Sequence, residues 1–191
     1  MEDYELVSSL KAGNVNAFRF LVDKYRNLVW HIVLRMTNRR EDAEDLAQEV
    51  FVRVYKQIGN FRGDSKLSTW IGSVAYNSCV DHLRKRKREV LTGSDTLSAV
   101  NINMHDVGPI LGEYDRNAVT KLVHAIIDRM PVQYRTVITL FHLEDFSYRE
   151  IEEITGMPEG TVKSYLSRGR EIIRQKMTEL MPDIKPVLFE V

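Results

Sequence analysis

Only one cysteine, Cys79, occurs in 191 residues. It excludes an intramolecular disulfide, and the five histidines (31, 82, 105, 124, 142) stand singly, so no Cys/His spacing forms a zinc site. No metal and no cofactor is expected. Long apolar runs are missing as well. The longest patch, Leu28 to Leu34, is broken by His31 and is far shorter than the roughly 20 residues that a membrane helix needs. The acidic start, Met1-Glu2-Asp3-Tyr4-Glu5, offers no basic region from which a signal peptide would begin. Gly-rich phosphate loop, nucleophile elbow and catalytic Cys/His pair are all lacking, which leaves no catalytic set. Nor is either charge in excess, since 27 basic residues face 27 acidic ones. Together these absences lead to the expectation of a non-enzymatic protein of the reducing cytoplasm, with no membrane insertion.

What is present is an ordinary globular composition. Hydrophobic residues make up 43% and charged residues 28%, too apolar for a wholly disordered chain and enough for a core that folds without clips. The charges are unevenly placed. Residues 1–90 carry 16 basic and 12 acidic side chains, residues 91–115 four acidic and no basic ones, and residues 116–191 eleven of each. Local clusters outweigh the zero total, because salt screens fields beyond about 8–10 Å.

Helical periodicity runs through most of the chain. Leu6, Val7 and Leu10 form a short stripe, and Phe18, Leu21, Val22, Tyr25, Val29, Ile32, Val33 and Met36 continue it beyond Gly13-Asn14. Asn38 with Glu41 reads as a capping box. Leu46, Val50, Val54 and Ile58 recur every fourth residue until Gly59. Residues 59–66 form a loop by composition. A helix from about Ser68 to Arg88 ends in five consecutive basic residues. From Glu89 to Gly112 the chain is rich in Ser, Thr, Asn, Asp and Gly without a period, the pattern of a linker. A second helical block spans about Asp115 to Met181. Within it, Pro131 is placed to start a helix. Residues 132–141 have strand-like propensity but continue a helical face. Ser147 with Glu150 forms a capping box, and Gly156 divides two short helices. The expectation is an all-α chain of two small helical domains. Their bounds are 1–90 and 115–181, with a flexible linker over 91–114 and a tail over 182–191.

Three constellations could carry function. A capped helix, a Gly-containing turn and a second helix spell helix-turn-helix over about 148–167. The second helix bears Lys163, Arg168, Arg170, Arg174 and Lys176, suited to a major groove, although a solvated bundle face has the same charges. The basic run 84–88 lies behind Phe61, Arg62, Lys66, Trp70, Tyr76 and Asn77. Interleaved cations and aromatics suit a single strand, although basic residues also favour helix C-termini and Trp70 could be core. Five acids lie between Glu41 and Glu49. They fit a charged docking surface better than a di-metal site, because no histidine stands nearby.

Residues 42–88, from Asp42-Ala43-Glu44-Asp45-Leu46-Ala47-Gln48-Glu49 through Asn60-Phe61-Arg62-Gly63-Asp64-Ser65 to the basic run, resemble region 2 of the extracytoplasmic-function (ECF) group of bacterial sigma factors. Residues 146–170, from Phe146-Ser147-Tyr148-Arg149-Glu150-Ile151 through Gly160-Thr161-Val162-Lys163-Ser164 to Arg170, resemble that group's region 4. The resemblance implies a sigma factor that directs core RNA polymerase to promoters and helps open them. Asp45, Gln48, Glu49 and Phe51 would dock on the clamp helices of the polymerase largest subunit, and the flap of the second-largest subunit is a further implied partner. Asn60, Phe61, Arg62, Asp64, Ser65 and Lys66, with Trp70 and Asn77, would read the minus-ten strand and hold a flipped base. Arg84, Lys85, Arg86, Lys87 and Arg88 would hold phosphates. Lys163, Ser164, Ser167 and Arg168 would face the bases of the minus-thirty-five element, with Thr161 and Arg170 nearer its phosphates. An anti-sigma factor is implied by the same family habit.

Three residues depart from the family pattern. Glu152 stands where Ala is usual, so its carboxylate must reach solvent or a partner. Gly169 replaces Ala and should weaken its helix by about 1 kcal/mol. Tyr165 replaces a common Arg. The 24-residue linker reaches at most about 80 Å, enough for elements about 18 base pairs apart at 3.4 Å each. Zero net charge implies that the free chain binds DNA poorly until docking exposes its basic surfaces. The rival readings are an autonomous helix-turn-helix regulator and a sigma mimic that sequesters an anti-sigma factor.

Overall fold

The computed structural model describes residues 2–37, 39–89 and 116–181, without the side chains of 87–89 and 116–118. The expected linker and tail lie outside these residues. Eight α-helices and no strand occur among them: α1 (Asp3–Lys11), α2 (Val15–Thr37), α3 (Arg40–Gln57), α4 (Leu67–Glu89), α5 (Arg116–Arg129), α6 (Val132–His142), α7 (Tyr148–Thr155) and α8 (Glu159–Leu180). The all-α expectation is met.

The first four helices form around α2. Gly13 takes a positive φ of 78° at the α1–α2 turn. The Asn14 side chain then accepts from the amides of Asn16 (2.9 Å) and Ala17 (3.3 Å), closing the open end of α2. Leu21, Val29, Ile32 and Val33 of α2 are buried with Leu46, Val50 and Val54 of α3 and Ile71, Ala75 and Cys79 of α4. Burial pushes the Cys79 thiol up to about 12, so it is a packing group rather than a reactive one. α3 departs from expectation at its start. Arg39 is the N-cap and makes no side-chain capping bond, while Asn38, the expected cap, lies outside the described residues.

The last four helices have the expected order. Pro131 precedes α6 as its N-cap. The strand-prone residues 132–141 are helical, and Thr136, Val137, Ile138, Thr139 and Leu140 are all buried, so that tertiary burial on every side outweighs a weak propensity. Ser147 and Glu150 form the reciprocal capping box, with Ser147 N–H donating to Glu150 Oε2 at 2.9 Å. Gly156 closes α7 in the left-handed conformation at φ 69°, where its missing β-carbon is an advantage.

The two blocks share one continuous core. α4 packs on α7, and α2 packs on α6.

Candidate nucleic-acid interface

α3 presents a polar face to solvent. Asp45, Gln48 and Glu49 are exposed on it, while Phe51 is half-buried against the core at its side. Val52 (49% exposed) occupies the middle of that face and Tyr55 (44%) its edge. Neither was singled out by the sequence. Glu49 does not hang free, because Arg53 Nη2 donates to its Oε1 at 2.6 Å, while Nη1 of the same guanidinium reaches Asp81 of α4 at 3.4 Å. Arg53 thus fixes the carboxylate's position.

The loop between α3 and α4 is pinned at its base. Ile58–Asn60 forms one 3-10 turn. The Phe61 amide donates to the Ile58 carbonyl at 3.1 Å, and the Phe61 carbonyl accepts from Lys11 Nζ of α1 at 2.8 Å. The Phe61 ring lies 5.4 Å from the Trp70 ring. Lys11 is a positioning group that no sequence spacing could reveal, being 50 residues away. Gly63 has a positive φ of 82°, which lets the loop tip reverse. Asn60, Arg62, Asp64 and Lys66 are exposed and Ser65 is half-buried.

Helical geometry sorts the residues of α4. At 100° per residue, positions seven apart fall on one line. Trp70, Asn77 and Arg84 are such a row, half-buried at the loop and exposed further along. Lys85 is exposed beside it. Arg86 falls on the opposite side, half-buried, with Nη1 donating to Asp42 Oδ2 at 3.2 Å. Its guanidinium therefore ties α4 to α3, a partner the basic run did not disclose. The side chains of Lys87 and Arg88 lie outside the described residues.

On α8, Ser164, Ser167 and Arg168 point away from the buried line Val162, Leu166, Gly169 and Ile173, with Thr161 at the margin. Lys163 flanks them, held by Glu159 at 2.5 Å and lying 5.4 Å from the Tyr148 ring centre. Arg170 turns toward α6. Its guanidinium sits 5.2 Å over the Phe141 ring, and Nε donates to His142 Nε2 at 3.1 Å. Burial, with the Arg170 charge, pushes His142 below its usual value, which suits a neutral acceptor.

The three departures each find a place. Glu152 is exposed, so its carboxylate reaches water. Tyr165 packs edge-on to Tyr134 with ring centres 5.2 Å apart. Gly169 lies where a β-carbon would come 2.8 Å from Ile138 Cγ1, so the residue permits close packing of α8 on α6. Beside Arg170 and His142 opens a groove of about 490 Å³, lined also by Val123, Ile127, Ile138 and Ile173. Among the described residues no group of three or more His, Cys, Asp or Glu could hold a metal ion, and no helix is long and apolar enough to cross a membrane.

Residues 21–89 match the family model of sigma-70 region 2, and residues 120–173 match that of sigma-70 region 4. The chain is 33% identical to the ECF RNA polymerase sigma factor SigW of Bacillus subtilis, over 91% of this chain and 96% of that protein. It is 31% identical to the RNA polymerase sigma-H factor of Pseudomonas aeruginosa, over 94% and 96%. In fold it is similar to the sigma factor RpoE of Bartonella quintana, solved with the anti-sigma factor NepR. That match has a TM-score of 0.66 at 22% identity and covers 90% of this chain and 100% of that one. CnrH, solved with the cytosolic domain of CnrY, gives a TM-score of 0.65 at 18% identity, over 93% and 97%.

Proposed function

The chain belongs to the ECF sigma factors of the sigma-70 family, and from that membership we propose how its surfaces divide the work of promoter recognition and opening in the cytoplasm. Residues 1–90 are taken as the unit for the polymerase clamp and the minus-ten element, 91–114 as the linker, and 115–181 as the unit for the minus-thirty-five element. The α3 face of Asp45, Gln48 and Glu49, with Val52 at its centre, docks on the clamp helices of the largest subunit. The apolar groove beside Arg170 suits the flap of the second-largest subunit.

The row Trp70, Asn77 and Arg84 behind the pinned loop is the observation that carries the reading. An aromatic plane, an amide and a cation in line match what an unpaired strand offers: a base face, a base edge and a phosphate. Opening then runs on the energy of holding the non-template strand, with no chemistry of its own. Lys163, Ser164, Ser167 and Arg168 face base edges of the minus-thirty-five duplex, and Thr161 and Arg170 lie nearer its backbone. An anti-sigma factor fits as a regulator, since the similar sigma factor RpoE of Bartonella quintana was solved with the anti-sigma factor NepR.

Run-off transcription with core polymerase from the source organism, on its genomic DNA, tests the reading. New discrete transcripts that require the protein are expected, and their aligned upstream sequences give both elements. Core binding without transcripts would favour the mimic. Failure to bind core, with a footprint by the protein alone, would favour the autonomous regulator.

A further inference from the structure

The first helix ends against the loop assigned to the minus-ten strand. Lys11, the last residue of α1, donates from Nζ to the Phe61 carbonyl at 2.8 Å. The lysine stands on a fixed base. The amides of Ala12, Gly13 and Asn14 bond back to the carbonyls of Ser8, Leu10 and Ser9 at 2.9–3.1 Å, and Leu6 and Leu10 are buried. At the other end of α1, Asp3 Oδ1 accepts from Lys24 Nζ at 2.7 Å and from the Tyr25 hydroxyl at 2.8 Å, both on α2. α1 also packs on the Ile58–Asn60 turn. Among the described residues the Phe61 carbonyl is the one partner of Lys11, so the ammonium is committed to the loop and to no acid.

Phe61 is held at its amide, its ring and its carbonyl. The N–H closes the 3-10 turn on Ile58 at 3.1 Å, the ring lies 5.4 Å from that of Trp70 at an angle of 52°, and Lys11 takes the carbonyl. The last of these decides where the chain goes next. A trans peptide carries its C=O and N–H on opposite sides. With the Phe61 carbonyl turned to α1, the Arg62 N–H is turned away from it, and that N–H bonds to nothing among the described residues. Gly63 then reverses the chain at φ 82°. A rotation of this one peptide would re-aim residues 62–66 against Trp70 and Asn77, which are fixed on α4.

We propose that Lys11 is a positioning residue for minus-ten recognition: it holds the Phe61–Arg62 peptide in the orientation that aligns the loop with Trp70 and Asn77, and so sets how sharply the wanted base is told from others, without touching DNA itself. The proposal rests on the sigma reading above and adds α1 to the minus-ten reader. The match to the region 2 family model begins at residue 21, so Lys11 lies ahead of it. Phosphate contacts carry no sequence information. A misaimed loop therefore loses its preference among bases while the salt dependence of binding stays.

Holoenzyme formed from core and the full chain tests this on fork-junction DNA whose minus-ten element is single-stranded, taken from a promoter found by run-off. Each minus-ten base is changed in turn, and affinity is read at several salt concentrations. In Lys11→Met the preference for the original base over its replacement should fall about three- to tenfold at one or more positions, the range that one hydrogen bond of modest net strength spans. The slope of log affinity against log salt should stay as in wild type. Lys11→Arg should restore the preference, because a guanidinium also offers a charged donor to a carbonyl. A loss equal at every position, with a slope lower by about 0.7, would make Lys11 a phosphate contact and overturn the proposal. Wild-type preference in Lys11→Met overturns it too. Hydrogen exchange of the full chain is the second measurement. The Phe61 amide should exchange faster in Lys11→Met than in wild type or Lys11→Arg, and equal exchange overturns the proposal whatever the DNA result. Wild-type holoenzyme that shows no preference among minus-ten bases would instead remove the reading of the loop itself, and the role of Lys11 with it.

Discussion

Gly169 of α8 faces Ile138 of α6 so closely that a β-carbon would stand 2.8 Å from Ile138 Cγ1 and 3.1 Å from its Cδ1. Two effects oppose each other in Gly169→Ala. Helix propensity favours alanine by about 1 kcal/mol, while overpacking a full core costs about 1–3 kcal/mol. Ile138 is 1% exposed and crowds the site with both Cγ1 and Cδ1, so packing should win. The variant is expected to be less stable by about 1 kcal/mol in urea unfolding. A more stable variant would show that α8 can move off α6 without loss.

Arg84 and Arg86 stand two residues apart and should behave differently. Arg84→Ala, from the exposed row, should weaken binding to promoter DNA in the presence of core. It should also lower the slope of log affinity against log salt by about 0.7–0.9, the value for one lost phosphate contact. Arg86→Ala should leave that slope unchanged and lower stability by about 0.5–1 kcal/mol, since it breaks a partly exposed tie to Asp42. Equal salt slopes for both variants and wild type would remove Arg84 from the interface.

Much of this was legible in the chain, and the division has a physical cause. Burial imposes a period, so the stripes of α2, α3 and α4 appear as spaced apolar residues and their helices follow. Capping is local too, which is why Ser147 and Glu150 announced the start of α7. Partners far along the chain leave no such trace. Nothing in the run 84–88 says that its second arginine, Arg86, points to Asp42, 44 residues earlier. Nothing near Lys66 indicates Glu150, nor does the sequence disclose that a side chain on Gly169 would run into Ile138. The roles given to site residues came from resemblance. The structure adds which of them share a face.

Val52 offers a test of the docking face that leaves the fold alone. It is 49% exposed and surrounded by Asp45, Gln48 and Glu49, so Val52→Asp should cost little stability. At the centre of a protein interface an added, unpaired carboxylate should cost at least about tenfold in affinity for core polymerase. Circular dichroism and urea unfolding would check the fold, and titration of labelled core would read the affinity. Unchanged core binding would place the docking surface elsewhere.

Glu150 links stability to acidity. Burial alone would push its carboxyl up, but the Lys66 ammonium and the Ser147 hydroxyl and amide outweigh burial and bring it down to about 2 from an ordinary 4.5. A carboxylate held lower in the folded chain stabilises fully above pH 4.5, and that contribution fades as pH falls from 4.5 toward 2. Glu150→Gln keeps a side chain able to reach back to Ser147 but loses the charge. The stability gap between wild type and Glu150→Gln should therefore be widest near neutral pH, shrink below pH 4.5 and close near pH 2. Urea unfolding at pH 7, 4 and 3 would measure it. A gap that stays constant across that range would mean that the carboxylate contributes by shape alone and that Lys66 is not its partner in solution.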